Sequence, residues 1–259
     1  MRMNKEKILL KFGGSLITDK KSNVPIISKK SLTKIGNLLN NERYDLIIVH
    51  GAGSFGHPIA KNYNLSKGLN NDKKQLHGIK KARKQLKELN SKFCRKLTKI
   101  ETVAVAPSKF MKTNGSNIIE NFPKEIFDEI IKNQKVPITF GDVTADISQG
   151  INILSGDIIM KYLAEIYKPK YAIFVMDLPG ILDGDPFDSK SRIIPILNSE
   201  KLEILRDKLL STENDVTGGI LAKAESAIYI SNYSETWITN INSLEKCLEG
   251  KPTGTRVII

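Results

Sequence analysis

Two cysteines, Cys94 and Cys247, are all that the 259 residues contain. This argues against a disulfide framework of the kind that staples small secreted domains, and the expected compartment is the cytoplasm. Long apolar runs are missing too. None approaches the roughly 18 residues that a membrane-spanning helix needs, so no membrane is expected as a partner. The start, MRMNKEKILLKFGG, has neither the apolar core nor the small-residue cleavage site of a signal peptide. Its apolar stretch runs straight into a glycine turn, as a first strand does. Histidine is scarce at three and tryptophan at one. No zinc-ligand spacing, RNA-binding aromatic motif or interleaving of aromatics with basic residues occurs, so nucleic acid is not an expected partner either.

What the chain does have is positive charge, a formal net +12, concentrated in one place. Residues 67 to 99 hold twelve Lys and Arg against Asp72 and Glu88. Within the same segment Leu76, Ile79, Ala82, Leu86, Leu89, Phe93, Leu97 and Ile100 recur at spacings of three and four. That pattern predicts one amphipathic helix over 73–100, with its lysines on the solvent side. A solvated basic face accounts for the charge; attraction of an anionic substrate is its functional reading.

Elsewhere short β-branched runs alternate with helical patterns. Strands are expected at 7–12, 45–50, 103–107, 136–140, 171–176, 235–239 and 255–259. Helices are expected near 29–40, 56–65, 73–100, 123–133, 156–167, 199–210, 217–231 and 243–249. Such alternation predicts an α/β protein, a mainly parallel central sheet between two layers of helices. The length suits one such domain, or two lobes sharing a continuous sheet, and no linker separates independent units. Glycines follow strands at 13–14, 51–56 and 141, and ligands of open α/β sheets sit at that edge. The alternating polarity of 141–157 around Gln149-Gly150 predicts a small hairpin beside it.

Five loops carry residues suited to chemistry. In KFGGSLITDK (11–20), Lys11 ends a strand, Gly13 and Gly14 let backbone amides approach a ligand, and Ser15 and Lys20 add a hydroxyl and a second cation. Neither a Walker loop nor a dinucleotide fingerprint is present. In HGAGSFGHP (50–58), Gly51, Gly53 and Gly56 let several N–H groups point inward, and a helix beginning near Gly56 offers its positive end to an anion. His57 lies in the first turn of that helix, facing the same anion, whereas His50 and His77 read as structural. SGDIIM (155–160) puts Asp157 in the first turn of another helix, where a dipole partner is the simpler reading. FVMDLPGILDGDP (174–186) is a strand followed by a loop rich in glycine, proline and aspartate. DVTGGILAKAESA (215–227) places a glycine pair at a helix start, with Lys223 one turn further in.

Taken in order over essentially the whole chain, these loops resemble the amino acid kinase superfamily. Within it, the histidine closing HGAGSFGHP is similar to the phosphate-binding histidine of the members that phosphorylate isopentenyl phosphate; the fosfomycin kinases share it. Two departures stand out. Ala52 occupies a position where many members have glycine, and VMDLPG replaces the commoner LTDVDG. The resemblance implies the amino acid kinase fold, a three-layer αβα sandwich. It also implies an N-terminal acceptor-binding lobe of about 1–168, a C-terminal ATP-binding lobe of about 169–259, and a homodimer.

The reaction it implies is transfer of the ATP γ-phosphoryl group to isopentenyl phosphate, giving isopentenyl diphosphate. By the same resemblance Lys11, Lys20 and Lys223 contact the phosphates, Gly13, Gly14 and Ser15 cradle the ATP tail, and Asp177, Gly218 and Gly219 belong to the nucleotide side. Ala52, Gly53, Gly56 and His57 hold the acceptor phosphate, with Gly156 alongside, and Asp157 orients Lys11 and Lys223. Mg2+ enters with ATP, held largely by phosphates and water. Another phosphate or phosphonate acceptor such as fosfomycin, or a non-catalytic nucleotide-binding relative, are the alternatives.

Overall fold

The runs Ile8-Leu9-Leu10 and Leu46-Ile47-Ile48-Val49 are apolar at every position because each is covered on both faces. In the computed structural model, which describes residues 5–19, 24–39, 44–70, 72–115, 118–185, 188–210 and 217–259, both lie at the middle of a sheet. The strands, in chain order, are β1 (Glu6–Phe12), β2 (Tyr44–His50), β3 (Thr102–Ala104), β4 (Lys112–Thr113), β5 (Ile119–Asn121), β6 (Val136–Phe140), β7 (Asp142–Asp146), β8 (Gly150–Leu154), β9 (Tyr171–Met176), β10 (Ile196–Leu197), β11 (Glu235–Asn240) and β12 (Thr255–Val257). Eight of them form one sheet in the order β10-β12-β11-β9-β1-β2-β6-β3, parallel throughout except where β11 meets β12.

Alternate side chains of this sheet feed two cores. Leu9, Ile47 and Val49 face the helices Lys124–Lys132, Gly156–Tyr167, Ser199–Leu210 and Thr217–Ser231, burying Phe127, Ile159, Leu163, Leu205 and Ala227. Ile8, Leu10, Phe12, Leu46 and Ile48 face the opposite layer, against Leu32 and Ile35 of helix Lys29–Leu38, Leu89 and Phe93 of helix Lys73–Cys94, and Cys247. The result is the expected three-layer αβα sandwich. From β1 the chain moves outward to β2 and on to β6; it later re-enters at β9, on the other side of β1, and proceeds to β11. Connections leaving β1 and β9 therefore diverge, which opens a crevice at their carboxyl ends. The amide of Gly13 donates to the Val175 carbonyl at 2.9 Å, which ties the first glycine loop to β9 at that crevice.

A smaller sheet, β5-β4-β7-β8, stands beside the large one, and β7 with β8 is the expected hairpin. Its turn needs a left-handed residue, supplied by Gly150 at φ 80°. The expected helix over 73–100 is shorter, ending at Cys94. Leu97 stays buried in the tight turns that follow, where the Lys96 carbonyl approaches the bare Cα of Gly36. Leu76 is 40% exposed and not part of the apolar face. Gln75 takes the inward position, accepting from the Asn70 amide at 2.9 Å and donating to the Gly68 carbonyl at 2.8 Å. The strand expected at 103–107 stops at Ala104, because Pro107 opens the short helix Pro107–Phe110 instead of closing the strand. No helix among the described residues is long and apolar enough to cross a membrane.

Candidate active site

Lys11, the sixth residue of β1, points out of the strand under the start of helix Gly156–Tyr167 and is only 4% exposed. Its Nζ forms an ion pair with Oδ1 of Asp157, in the first turn of that helix. Lys223, from helix Thr217–Ser231, brings its own Nζ to 3.5 Å from the same oxygen. Both ammonium groups also lie over the Phe174 ring, 5.8 and 5.5 Å from its centroid. The helix start is fixed by Ser155, whose hydroxyl accepts from the Ile158 amide at 3.2 Å. Gly156 leaves room for Lys11 to lie across it, since a Cβ there would stand 3.3 Å from the lysine Cε. One carboxylate thus holds two cations from different segments, besides completing the helix N-terminus.

Burial pushes the Lys11 ammonium down from its usual value to about 7; Asp157 pulls it back up, and the like charge of Lys223 presses it further down. Burial also pushes the Asp157 carboxyl up, but Lys11 and Lys223 together outweigh it and hold the group at about 2. Asp157 is therefore ionised at neutral pH. The stability from its ion pairs is fully present above the ordinary carboxyl value near 3.8 and is lost as pH falls through about 2. The buried Lys11 subtracts from stability, yet its pH dependence has the same sign. Between about 7 and 10.5 the unfolded chain holds a proton that the folded chain has released, so its burial costs progressively less stability as pH rises.

The two glycine loops at the ends of β1 and β2 are packed backbone to backbone. A Cβ on Gly14 would come within 2.8 Å of the Gly53 Cα, and one on Gly51 within 2.9 Å of the Gly14 Cα. Gly53 is also in the left-handed region at φ 50°. Thr18 fastens the pair: its hydroxyl donates to the Gly14 carbonyl at 2.8 Å and accepts from the Ser54 amide at 3.0 Å. What this packing leaves over is donors. The N–H groups of Gly14, Ser15, Ala52 and Gly53 find no acceptor among the described residues. Backbone donors are seldom left orphaned, and several on adjoining loops make an anion cradle.

His57 occupies the first position of helix His57–Asn62, exposed, with Gly56 as its N-cap and Pro58 behind it. Asp177 follows β9, and its Oδ1 accepts from the Ser15 hydroxyl at 3.3 Å, which links the first loop to the fourth. Gly218 and Gly219 fall in the first turn of helix Thr217–Ser231, and a Cβ on Gly219 would meet nothing within 4 Å. Lys20, and the Asp215-Val216 start of the fifth loop, lie outside the described residues. The centre therefore joins Lys11, Asp157, Gly156 and Lys223, and the packed loops join Gly13, Gly14, Ser15, Ala52, Gly53 and Gly56.

Some residues at the site carry no signal in the sequence. Thr18 is one. Arg83 is another: from the basic helix its Nε donates to the Val143 carbonyl at 2.8 Å, while Asp142 accepts from the Ser108 and Val143 amides at 3.0 and 2.8 Å. The first bond pins the hairpin to helix Lys73–Cys94, and the Ser108 bond pins it to helix Pro107–Phe110. Under the hairpin, Ile59, Leu65, Ile79, Ala82, Val143 and Ile151 form a separate apolar cluster, adjoining the helix that begins at His57. A helix face shows in spacing, but which other elements it meets does not.

A model of the amino acid kinase family matches residues 6–240. The isopentenyl phosphate kinase of Methanothermobacter thermautotrophicus is 30% identical over 265 residues, covering 96% of this chain and 98% of that protein. That of Methanocaldococcus jannaschii is 31% identical over 270 residues, covering 96% and 97%. A solved structure of isopentenyl phosphate kinase superposes with a TM-score of 0.82 at 26% identity, over 97% of this chain and 99% of that one.

Proposed function

Because the chain belongs to the amino acid kinase family, we propose that it moves the γ-phosphoryl group of ATP onto the phosphate of isopentenyl phosphate, giving isopentenyl diphosphate. One observation carries this reading: two packed loops whose amides lack an acceptor among the described residues lie at the same sheet edge as a buried Lys–Asp–Lys centre. Such a site suits two phosphates that must be held together. The names of the relatives supply the acceptor.

The acceptor phosphate has a second pKa of about 6, so it arrives ionised and needs no base. The obstacle is repulsion. One pair of unit charges ~4 Å apart costs about 4 kcal/mol at an effective dielectric near 20, and several pairs coincide here. Lys11 and Lys223 offset it at the migrating group, with Lys20 as a third cation, and Asp157 keeps the first two aimed. Gly13, Gly14 and Ser15 hold the ATP tail, with Asp177, Gly218 and Gly219 on the nucleotide side. Ala52, Gly53, Gly56 and His57 hold the acceptor, Gly156 alongside. Catalysis is then positioning and preorganised charge. Asp157 is committed to two ammonium groups, so Mg2+ would be held by phosphates and water and would supply charge neutralisation there. On this reading residues of about 1–168 bind the acceptor and about 169–259 the nucleotide. The enzyme is cytoplasmic and works as a homodimer, a state that light scattering tests.

ATP consumption with isopentenyl phosphate and fosfomycin compared side by side tests the substrate. Preference for fosfomycin would replace the acceptor, and no turnover with any small phosphate would leave a nucleotide-binding relative. A pH effect follows from Lys11. Bound phosphates favour its ammonium, so ATP binding above about pH 7 takes up a proton. The dissociation constant for ATP is expected to rise up to about tenfold per pH unit there. Calorimetry in buffers of different ionisation heat reads the uptake; none at pH 8 removes Lys11 from nucleotide binding.

The acceptor's tail fits the apolar cluster under the hairpin, where each methylene accommodated is worth at most ~0.8 kcal/mol. Longer prenyl phosphates fail by clash, and trimming Ile79 to alanine is expected to admit geranyl phosphate. If no trimmed variant of that helix turns it over, the tail lies elsewhere.

A further inference from the structure

His50, the last residue of β2, is fully buried, though it reads as structural in the sequence. Its ring is stacked on Phe140, centroids 5.1 Å apart and planes 14° apart, with Phe93 at 5.2 Å. Nδ1 lies 3.0 Å from the Gly51 carbonyl oxygen, and Nε2 lies 3.1 Å from the side-chain amide of Asn90 on the basic helix. A backbone carbonyl only accepts, so Nδ1 carries a proton. Burial disfavours a second proton on the ring. Nε2 then accepts, and the Asn90 amide presents its NH2, an orientation a half-turn of that group supplies.

The consequence lies one peptide further on. The Gly51–Ala52 peptide is planar and trans, so a carbonyl held on one side turns the N–H to the other. That N–H belongs to Ala52, one of the donors with no acceptor among the described residues. We infer that His50 is a positioning residue for the acceptor phosphate: its Nδ1–H holds the Gly51 carbonyl against the core so that the Ala52 amide stays turned toward the anion. The inference rests on the proposed function for the identity of that anion, but not for the geometry. It also gives the basic helix a part in the site, since Asn90 sets the ring's other nitrogen.

Two substitutions separate this role from packing. In His50→Asn the amide nitrogen takes the place of Nδ1 and can still donate to Gly51; in His50→Gln it takes the place of Nε2 and cannot. The asparagine variant is expected to keep the wild-type KM for isopentenyl phosphate. The glutamine variant should raise it about tenfold, the scale of one lost hydrogen bond, with the KM for ATP unchanged. Equal acceptor KM values in the two variants, or a loss shared with ATP, would overturn the inference. Titration with inorganic phosphate, followed through the Ala52 and Gly53 amide resonances, reads the loop without turnover. If wild-type protein fails to phosphorylate isopentenyl phosphate, the proposed function falls and this titration decides alone. An Ala52 response kept in asparagine and lost in glutamine supports the role. The same response in all three proteins, or none in the wild type, refutes it. Should a variant not fold, nitrogen-15 spectra of the wild-type ring decide: a proton on Nδ1 supports the role, and one on Nε2 overturns it.

Discussion

Replacing Lys223 by alanine is expected to lower kcat by roughly 10²–10³, about 2.7–4 kcal/mol, the loss seen when one preorganised donor is withdrawn from a developing charge. The site explains why so much rests on one side chain. Lys223 shares the Asp157 carboxylate with Lys11, and its ammonium is fixed over the Phe174 ring before any ligand arrives. Nothing need reorganise when charge moves between phosphates. Removing it also leaves Asp157 with a single cation in a partly buried setting, which adds repulsion toward the migrating group. Lys20→Ala should fall in the same range if it is the third cation. The fold should survive both changes, because Lys11 still pairs Asp157 and the two cores are untouched. A folded Lys223→Ala protein with wild-type turnover in a stopped-time ATP assay would remove that lysine from the mechanism.

Asp157 ties this result to what a sequence can reveal. Helices 156–167, 199–210 and 217–231 and strand 171–176 are found where the sequence places them, the first helix opened by a Ser155 cap and the strand an apolar run buried at every position. β4, β5 and β10 have two or three residues each, too few for any period to show. The basic helix is overextended because Leu97 keeps the spacing of the apolar face after the backbone has turned away. Leu76 is misread because Gln75, a polar side chain with two loop partners, outcompetes it for the inward position.

The site divides along the same line. Glycine pairs, a lysine before one and a histidine after another are local and can be read directly. That Asp157 holds Lys11 and Lys223 together is a property of the sheet order, and no spacing contains it; resemblance to a family supplies the grouping. The interlock of Gly14 with Gly53 is hidden for the same reason. Each glycine by itself reads as a turn, and only their contact shows why neither can carry a Cβ.

His57 is where the local reading makes its sharpest claim. It stands at the first position of a helix, exposed, directly after the loop that carries Ala52 and Gly53. If it grips the acceptor phosphate, a charge-assisted hydrogen bond of roughly 1.5–3 kcal/mol is at stake. His57→Ala is therefore expected to weaken isopentenyl phosphate binding by about 10- to 150-fold and to cripple transfer, while ATP affinity stays nearly unchanged. His57→Gln should keep part of the activity, because an amide N–H still donates, without the charge. A general base would behave differently: glutamine would be as inactive as alanine, and the wild-type rate would climb as the imidazole lost its proton. The acceptor phosphate arrives already ionised, so no such climb is expected. Titrating both variants with each substrate, alongside pH–rate profiles, separates the two roles. Unchanged acceptor affinity in His57→Ala would end the phosphate-gripping assignment, and the amides of Ala52 and Gly53 would then hold the anion without it.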